Sequence, residues 1–153
     1  MQDISYQNIV NEGSTVTVER FLQRARSYTG TPYQTQGRSR AGVDCGGYLL
    51  VLGWDLDLTD LQVLGYSNQP DGETFERLLH AALVEVSKSE TRPGDILACD
   101  YGKGIQHTAV VTAVEPRLTV IHAKRQHGVT EHGLHGRDRR GWVKTFRMRH
   151  LMK

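Results

Sequence analysis

The chain has 153 residues, 38% of them hydrophobic and 24% charged, with a formal net charge of +2. That balance excludes a disordered chain, and no apolar run is long enough to cross a bilayer, so membrane insertion is not expected. The length fits one domain over 1–153, of a size that folds without disulfide or metal staples.

Residues 1–16 are polar and uneven and read as an N-terminal arm or a short edge strand. From Thr17 the spacing of Val18, Phe21, Leu22 and Ala25 predicts an amphipathic helix, with Thr17 as N-cap, Glu19 in the first turn and Gly30 as the stop. Thr31-Pro32-Tyr33 turns the chain, and Gln34 to Gly42 reads as a loop delivering it to Asp44.

The stretch Gly42 to Trp54, GVDCGGYLLVLGW, sets a glycine-flanked cysteine at the head of an almost wholly apolar segment, expected to be a buried helix that holds Cys45 rigidly. A thiol at a helix start faces unpaired N–H groups and the positive end of the macrodipole, which favours the thiolate and lowers the pKa. Asp44 is the expected N-cap; its carboxylate would raise the thiol pKa somewhat, and if it faces the site its role is in binding. Gly46 and Gly47 leave room for a substrate to approach. The plainer alternative for Cys45 is a buried structural thiol.

After Trp54 the chain reads as a long irregular connection ending at Asp71-Gly72. A second helix follows with Phe75, Leu78, Leu79, Ala82 and Leu83 on one face and His80 off it, at the surface. The period then shortens to two. Val84–Val86, Ile96–Cys99 after the turn Arg92-Pro93-Gly94-Asp95, Gln106–Val111 and Leu118–Ala123 predict strands of an antiparallel meander. Gly128, Gly133 and Gly136 punctuate a histidine-rich segment that reads as a loop with exposed histidines, and Trp142–Met148 suits a last strand with an aromatic face. Helices first and strands after imply an α+β fold, with N-terminal helices packed on a central antiparallel β-sheet.

Cys45 and Cys99 are the only two cysteines, too few for a disulfide framework, and read as free thiols with different tasks. A cysteine nucleophile needs a base to take its proton and later return it to a leaving amine. Of seven histidines, His107 and His122 fall on predicted core strands, where a buried imidazole needs partners. Side by side in a hairpin they would complete the series Cys45, His107, His122: nucleophile, base, and the group that orients the base. His132 and His135, with His127 nearby, have helix-like ligand spacing, but the intervening glycines argue against a helix, so no metal and no cofactor are expected. Nucleic-acid binding through the basic C-terminal third lacks a motif and is not expected either.

The run Ala25 to Tyr48, ARSYTGTPYQTQGRSRAGVDCGGY, resembles the opening segment of the NlpC/P60 cysteine peptidases: a helix, Gly-x-Pro-Tyr, a loop, then Asp-Cys-Ser/Gly-Gly. Arg92-Pro-Gly-Asp95, Gln106-His-Thr-Ala-Val110 and Val120-Ile-His-Ala123 resemble later family segments in the same order. The resemblance implies a papain-like fold in which Cys45 is the nucleophile, His107 the general base and His122 the orienting residue. It also implies that Tyr33 helps bind the oxyanion beside the Cys45 backbone N–H, and that Asp44 meets a free amine of the substrate. Gly46 stands where serine is common in the family.

The substrate class implied is the stem peptide of bacterial peptidoglycan. The N-terminus lacks a signal-peptide pattern and no wall-binding domain is evident, a set that most resembles the short NlpC/P60 proteins of phage tail tips and gene-transfer particles. The expectation is therefore a tail-tip peptidase, made in the host cytoplasm, carried in the virion and seated among other tail-tip or hub proteins. A structural tail-tip protein of the same fold and a signal-less secreted amidase effector are the alternatives.

Overall fold

The computed structural model describes residues 16–58 and 72–152. Residues 1–15 of the N-terminal arm and 59–71 of the irregular connection lie outside the described residues. Val16 belongs to β1 (Val16–Thr17), which pairs in parallel with β10 (Leu151–Met152) and brings the two ends of the described chain together.

Helix α1 (Val18–Ser27) begins where expected, with the Thr17 hydroxyl accepting from the Arg20 N–H at 3.1 Å. Phe21, Leu22 and Ala25 face the core. The short hairpin β2 (Arg38–Ser39) and β3 (Gly42–Val43) leads into α2 (Cys45–Asp55). Charged groups are absent from α2 before Asp55, so burial on most sides leaves no charge unpaired. Two tyrosines anchor it to α1: the Tyr48 hydroxyl donates to the Ala25 carbonyl at 2.7 Å, and the Tyr28 hydroxyl donates to Asp55 at 2.7 Å.

Helix α3 (Gly72–Ala82) buries Phe75 and Leu79, while Leu83, assigned from the pattern to its apolar face, instead opens β4 (Leu83–Val86). A 3₁₀ turn at Lys88–Glu90 precedes β5 (Ile96–Asp100). Strands β6 (Ile105–Ala113), β7 (Thr119–Lys124) and β8 (Gly128–Gly133) follow as an antiparallel meander. The short helix α4 (Gly136–Gly141) then leads into β9 (Trp142–Met148).

The six-stranded sheet has the order β4-β9-β5-β6-β7-β8, so the last long strand enters between β4 and β5 instead of adding to an edge. The fold is α+β, as expected. Two features depart from expectation: the histidine-rich segment is the edge strand β8 rather than a loop, and α4 follows it. Glycine is tolerated in β8 because the segment pairs residue for residue with β7, from Lys124 opposite Gly128 to Thr119 opposite Gly133.

Alternation along the strands divides the sheet into two faces. Ile96, Ala98, Val110, Ile121 and Phe146 pack with α1 and α2 in the main core. Leu97, Ala109, Val111, Val120 and Leu134 form a smaller cluster on the other face, with Trp142 against it. The β9 insertion is locked by Arg147, whose guanidinium grips the wholly buried Asp95 carboxylate with contacts of 2.8 and 3.0 Å. Asp95 also accepts from the Arg92 N–H at 3.0 Å, closing the Arg92-Pro93-Gly94-Asp95 turn. Gly94 at φ +93° carries that turn, and an added Cβ there would press on Leu151.

Candidate active site

Every expected site residue except His122 lines one cleft of about 660 Å³, a size suited to a short peptide segment. Tyr33, Asp44, Cys45, Gly46 and His107 form its wall, with Lys103, Lys124, Arg125 and Arg137 around it. Tyr33 reaches this wall because its backbone bridges in parallel to Val43: the Gln34 N–H donates to the Val43 carbonyl, and the Val43 N–H to that of Pro32, both at 3.0 Å. The tyrosine is thereby held two residues from the head of α2.

Asp44 caps α2 as expected. One carboxylate oxygen accepts from the Gly47 N–H at 2.6 Å and the other from the Gln36 N–H at 2.7 Å, so the same group tethers the preceding loop. The two glycines after Cys45 serve different ends. A Cβ on Gly46 would meet the Phe75 ring at 3.7 Å, an ordinary contact, so a serine would fit there. A Cβ on Gly47 would run into the Gly37 carbonyl, which makes this glycine a packing requirement and not a substrate opening.

The Cys45 sulfur lies 3.7 Å from the Gln106 carbonyl, and the Thr108 hydroxyl stands 3.5 Å from the Cys45 carbonyl, so both neighbours of His107 in β6 contact the cysteine. The expected fall in thiol pKa is not what the structure gives. Burial pushes the Cys45 thiol up to about 11 and the Asp44 carboxylate adds to the rise, outweighing hydrogen bonds from Thr108 and Gly46. Loss of hydration at a buried helix start exceeds the help of the macrodipole.

His107 and His122 come together as expected, with His107 Nε2 at 2.7 Å from His122 Nδ1. The contact continues beyond the expected pair: His122 Nε2 is 2.7 Å from His132 Nε2, and His132 Nδ1 is 2.9 Å from the Gly133 carbonyl. Pleat alternation and register set the three rings on one face, His107 with Ala109, His122 with Val120, and His132 directly opposite Val120 in β8. His132 was expected in an exposed loop. The signal that could have found it is the alternation of Val129 and Glu131 against Thr130 and His132.

Burial lowers the pKa of His107 to about 4 and that of His122 to about 3, and the neighbouring imidazoles push His122 further down. At these values Cys45 rests as a thiol and His107 as a neutral imidazole at neutral pH. Burial likewise raises the Tyr33 hydroxyl, and Cys45 and Asp44 add to the rise, so at neutral pH it stays protonated and able to donate.

Asp138 of α4, which the sequence did not single out, lines the same cleft. It accepts a short hydrogen bond from the Tyr101 hydroxyl and lies 3.8 Å from the Lys124 ammonium. Burial works to raise its pKa, but the Tyr101 hydrogen bond and the nearby His122, His107 and Lys124 prevail and hold it below the ordinary value. His122, His132 and Asp138 each place a donor atom within 4.8 Å of the others. The two imidazole nitrogens, however, stand at 2.7 Å, the distance of a shared proton. Two nitrogens on one tetrahedral zinc would lie about 3.3 Å apart, so in this arrangement the two rings are joined by a hydrogen bond.

Residues 30–148 match the model of the NlpC/P60 family. The chain is 31% identical over 122 residues to the probable endopeptidase NlpC of Escherichia coli K12, covering 79% of this chain and 69% of that one. The fold matches the crystal structure of an NlpC/P60 family protein from Bacillus cereus ATCC 10987 with a TM-score of 0.68 at 21% identity, over 88% of this chain and 41% of that one. It also matches the NlpC/p60 domain of the peptidoglycan hydrolase SagA with a TM-score of 0.62 at 20% identity, over 87% of this chain and the whole of that domain.

Proposed function

The chain belongs to the NlpC/P60 family, and from that premise we propose that it is a cysteine peptidase that hydrolyses amide bonds in the stem peptides of bacterial peptidoglycan. The observation that carries this is the Cys45 thiol in one cleft with His107, whose other side is held by His122 at 2.7 Å. A nucleophile, a base and an orienting group in that order are what thiol acyl transfer requires.

The reaction begins with both partners neutral. His107 takes the Cys45 proton as the sulfur attacks the scissile carbonyl carbon, forming a C–S bond and an oxyanion. The Cys45 backbone N–H at the head of α2 and the Tyr33 hydroxyl stabilise that oxyanion, a contribution of about 3–4 kcal/mol for one well-placed donor. The tetrahedral centre collapses, the C–N bond breaks, and His107 returns the proton to the leaving amine. The thioester is then attacked by water, which gives a proton to His107, and the acid is released as the thiol re-forms. Asp44, on the cleft wall, is the anionic group for a free amine on the substrate, and the surrounding lysines and arginines suit the carboxylates of a stem peptide.

Digestion of purified peptidoglycan with wild type and Cys45→Ala, with fragments identified by mass, tests the chemistry. Soluble peptides released only by the wild type support it; identical release, or none from either, overturns it in favour of a binding or structural role. The carrier is the second part of the proposal: a place at a phage tail tip, beside hub proteins, for which the support is the long connection after Trp54 and the terminal Trp142–Met148 strand, both of which resemble those of tail-tip peptidases. Its test is peptide mapping of purified particles, whose lack of this chain would overturn the assignment.

A further inference from the structure

We propose that His132 is a positioning residue that dictates, through His122, which nitrogen of His107 carries the proton and so keeps Nδ1 of His107 free to act as base. This rests on the peptidase reading only for its kinetic arm.

The inference follows from what each atom in the chain of contacts can do. A carbonyl oxygen only accepts, so the 2.9 Å contact between His132 Nδ1 and the Gly133 carbonyl requires the proton of His132 on Nδ1. In the neutral ring Nε2 then carries a lone pair, and the 2.7 Å contact to His122 Nε2 makes His122 the donor there. With its proton on Nε2, His122 has a lone pair on Nδ1, and the 2.7 Å contact to His107 makes His107 donate from Nε2. His107 is left with a lone pair on Nδ1, the form that can accept the thiol proton of Cys45. One backbone carbonyl on β8 thus sets three tautomers in succession across the sheet.

The supporting geometry is built for this. His122 is 1% exposed, so water does not replace either partner, and a ring with both nitrogens engaged has one proton to place. His132 sits on β8, whose pairing with β7 runs over six residue pairs and fixes the ring directly opposite Val120. Among the described residues, His107 Nε2 meets an imidazole, His122, and not a carboxylate, and that acceptor is ambiguous until the next ring resolves it. A group at position 132 that only donates would reverse every bond and place a proton on Nδ1 of His107, disabling the base.

The experiment compares wild type, His132→Gln and His132→Lys, each checked for folding by thermal melting. Long-range ¹H–¹⁵N spectra read the tautomers, and steady-state kinetics on a stem peptide reads kcat and KM. Glutamine offers a carbonyl oxygen near the place of Nε2, so His132→Gln is expected to keep His107 in the Nε2–H form with kcat within about tenfold of wild type. Lysine only donates, so His132→Lys is expected to move His107 to the Nδ1–H form and lower kcat by about 10²–10⁴-fold, the scale of a general base, with KM little changed. A His132→Lys protein that retains the Nε2–H form of His107, or a His132→Gln protein that loses as much kcat as the lysine variant, overturns the proposal. The spectra need no substrate. Wild-type protein with the stated tautomers but no hydrolysis would refute the peptidase reading and leave the role of His132 standing.

Discussion

The two cysteines are a controlled comparison within one chain. Both are buried free thiols, and burial raises both, Cys45 to about 11 and Cys99 to about 12. Cys99 even stands directly opposite His107 in the β5–β6 ladder. Yet its sulfur is turned to the Asp138 carbonyl at 3.7 Å and lines no part of the cleft, while Cys45 opens onto it. Thiol acidity therefore does not separate the proposed nucleophile, Cys45, from Cys99. Access to the cleft does.

The largest effect should come from removing each sulfur in turn. Cys45→Ala is expected to lower kcat by about 10⁴-fold or more, as loss of a nucleophile does, while Cys99→Ala keeps kcat within about twofold and costs about 1 kcal/mol of stability. Hydrolysis rates with denaturant melts check both, and equal rate losses would erase the distinction. Next in size is the frame that carries the strand of Cys99. Breaking the buried Asp95–Arg147 pair with Arg147→Ala should cost about 3–5 kcal/mol, read by urea unfolding, because it strands a carboxylate that is wholly buried.

Around Cys45 itself, Gly47→Ala should cost about 1–3 kcal/mol through overpacking against Gly37, whereas Gly46→Ser should stay within about 0.5 kcal/mol. Differential scanning calorimetry of the two variants measures the contrast. Alkylation by iodoacetamide sharpens the comparison further. Cys45 should react slowly at neutral pH, and its rate should rise about tenfold per pH unit towards about 11, with Cys99 unmodified in the folded state. A rate already maximal at neutral pH would mean a pre-formed thiolate.

The histidines give the opposite pH signature. Their folded pKa values, about 4 and about 3, lie below the ordinary 6.5, so the unfolded chain binds protons first. Stability from this source is complete above about pH 6.5 and is lost as pH falls towards 4 and 3. Acid titration of the melting temperature should show that decline in wild type, and less of it in a His122→Gln variant.

Much of this arrangement was legible in the residues because it is local. The Thr17 cap and the spacing of Phe21, Leu22 and Ala25 set α1, the apolar run after Cys45 set α2, and alternation set β5 to β7. Local features also placed Cys45, His107 and His122 in an order resembling one family. What escaped depends on contacts between distant segments. The glycines around His132 look like loop residues until β7 supplies the partner strand that orders them. Asp138 and Thr108 join the site only because β8, α4 and β6 converge there.

The strand order shows the same limit, since Trp142–Met148 reads as a strand by alternation alone but gains its place between β4 and β5 from Arg147 meeting Asp95. The thiol pKa is the clearest division. By itself the sequence determined that a cysteine stands at a capped helix start, where the macrodipole favours thiolate. Tertiary packing alone decided how much water that thiol loses, and desolvation in a buried site is the larger energy.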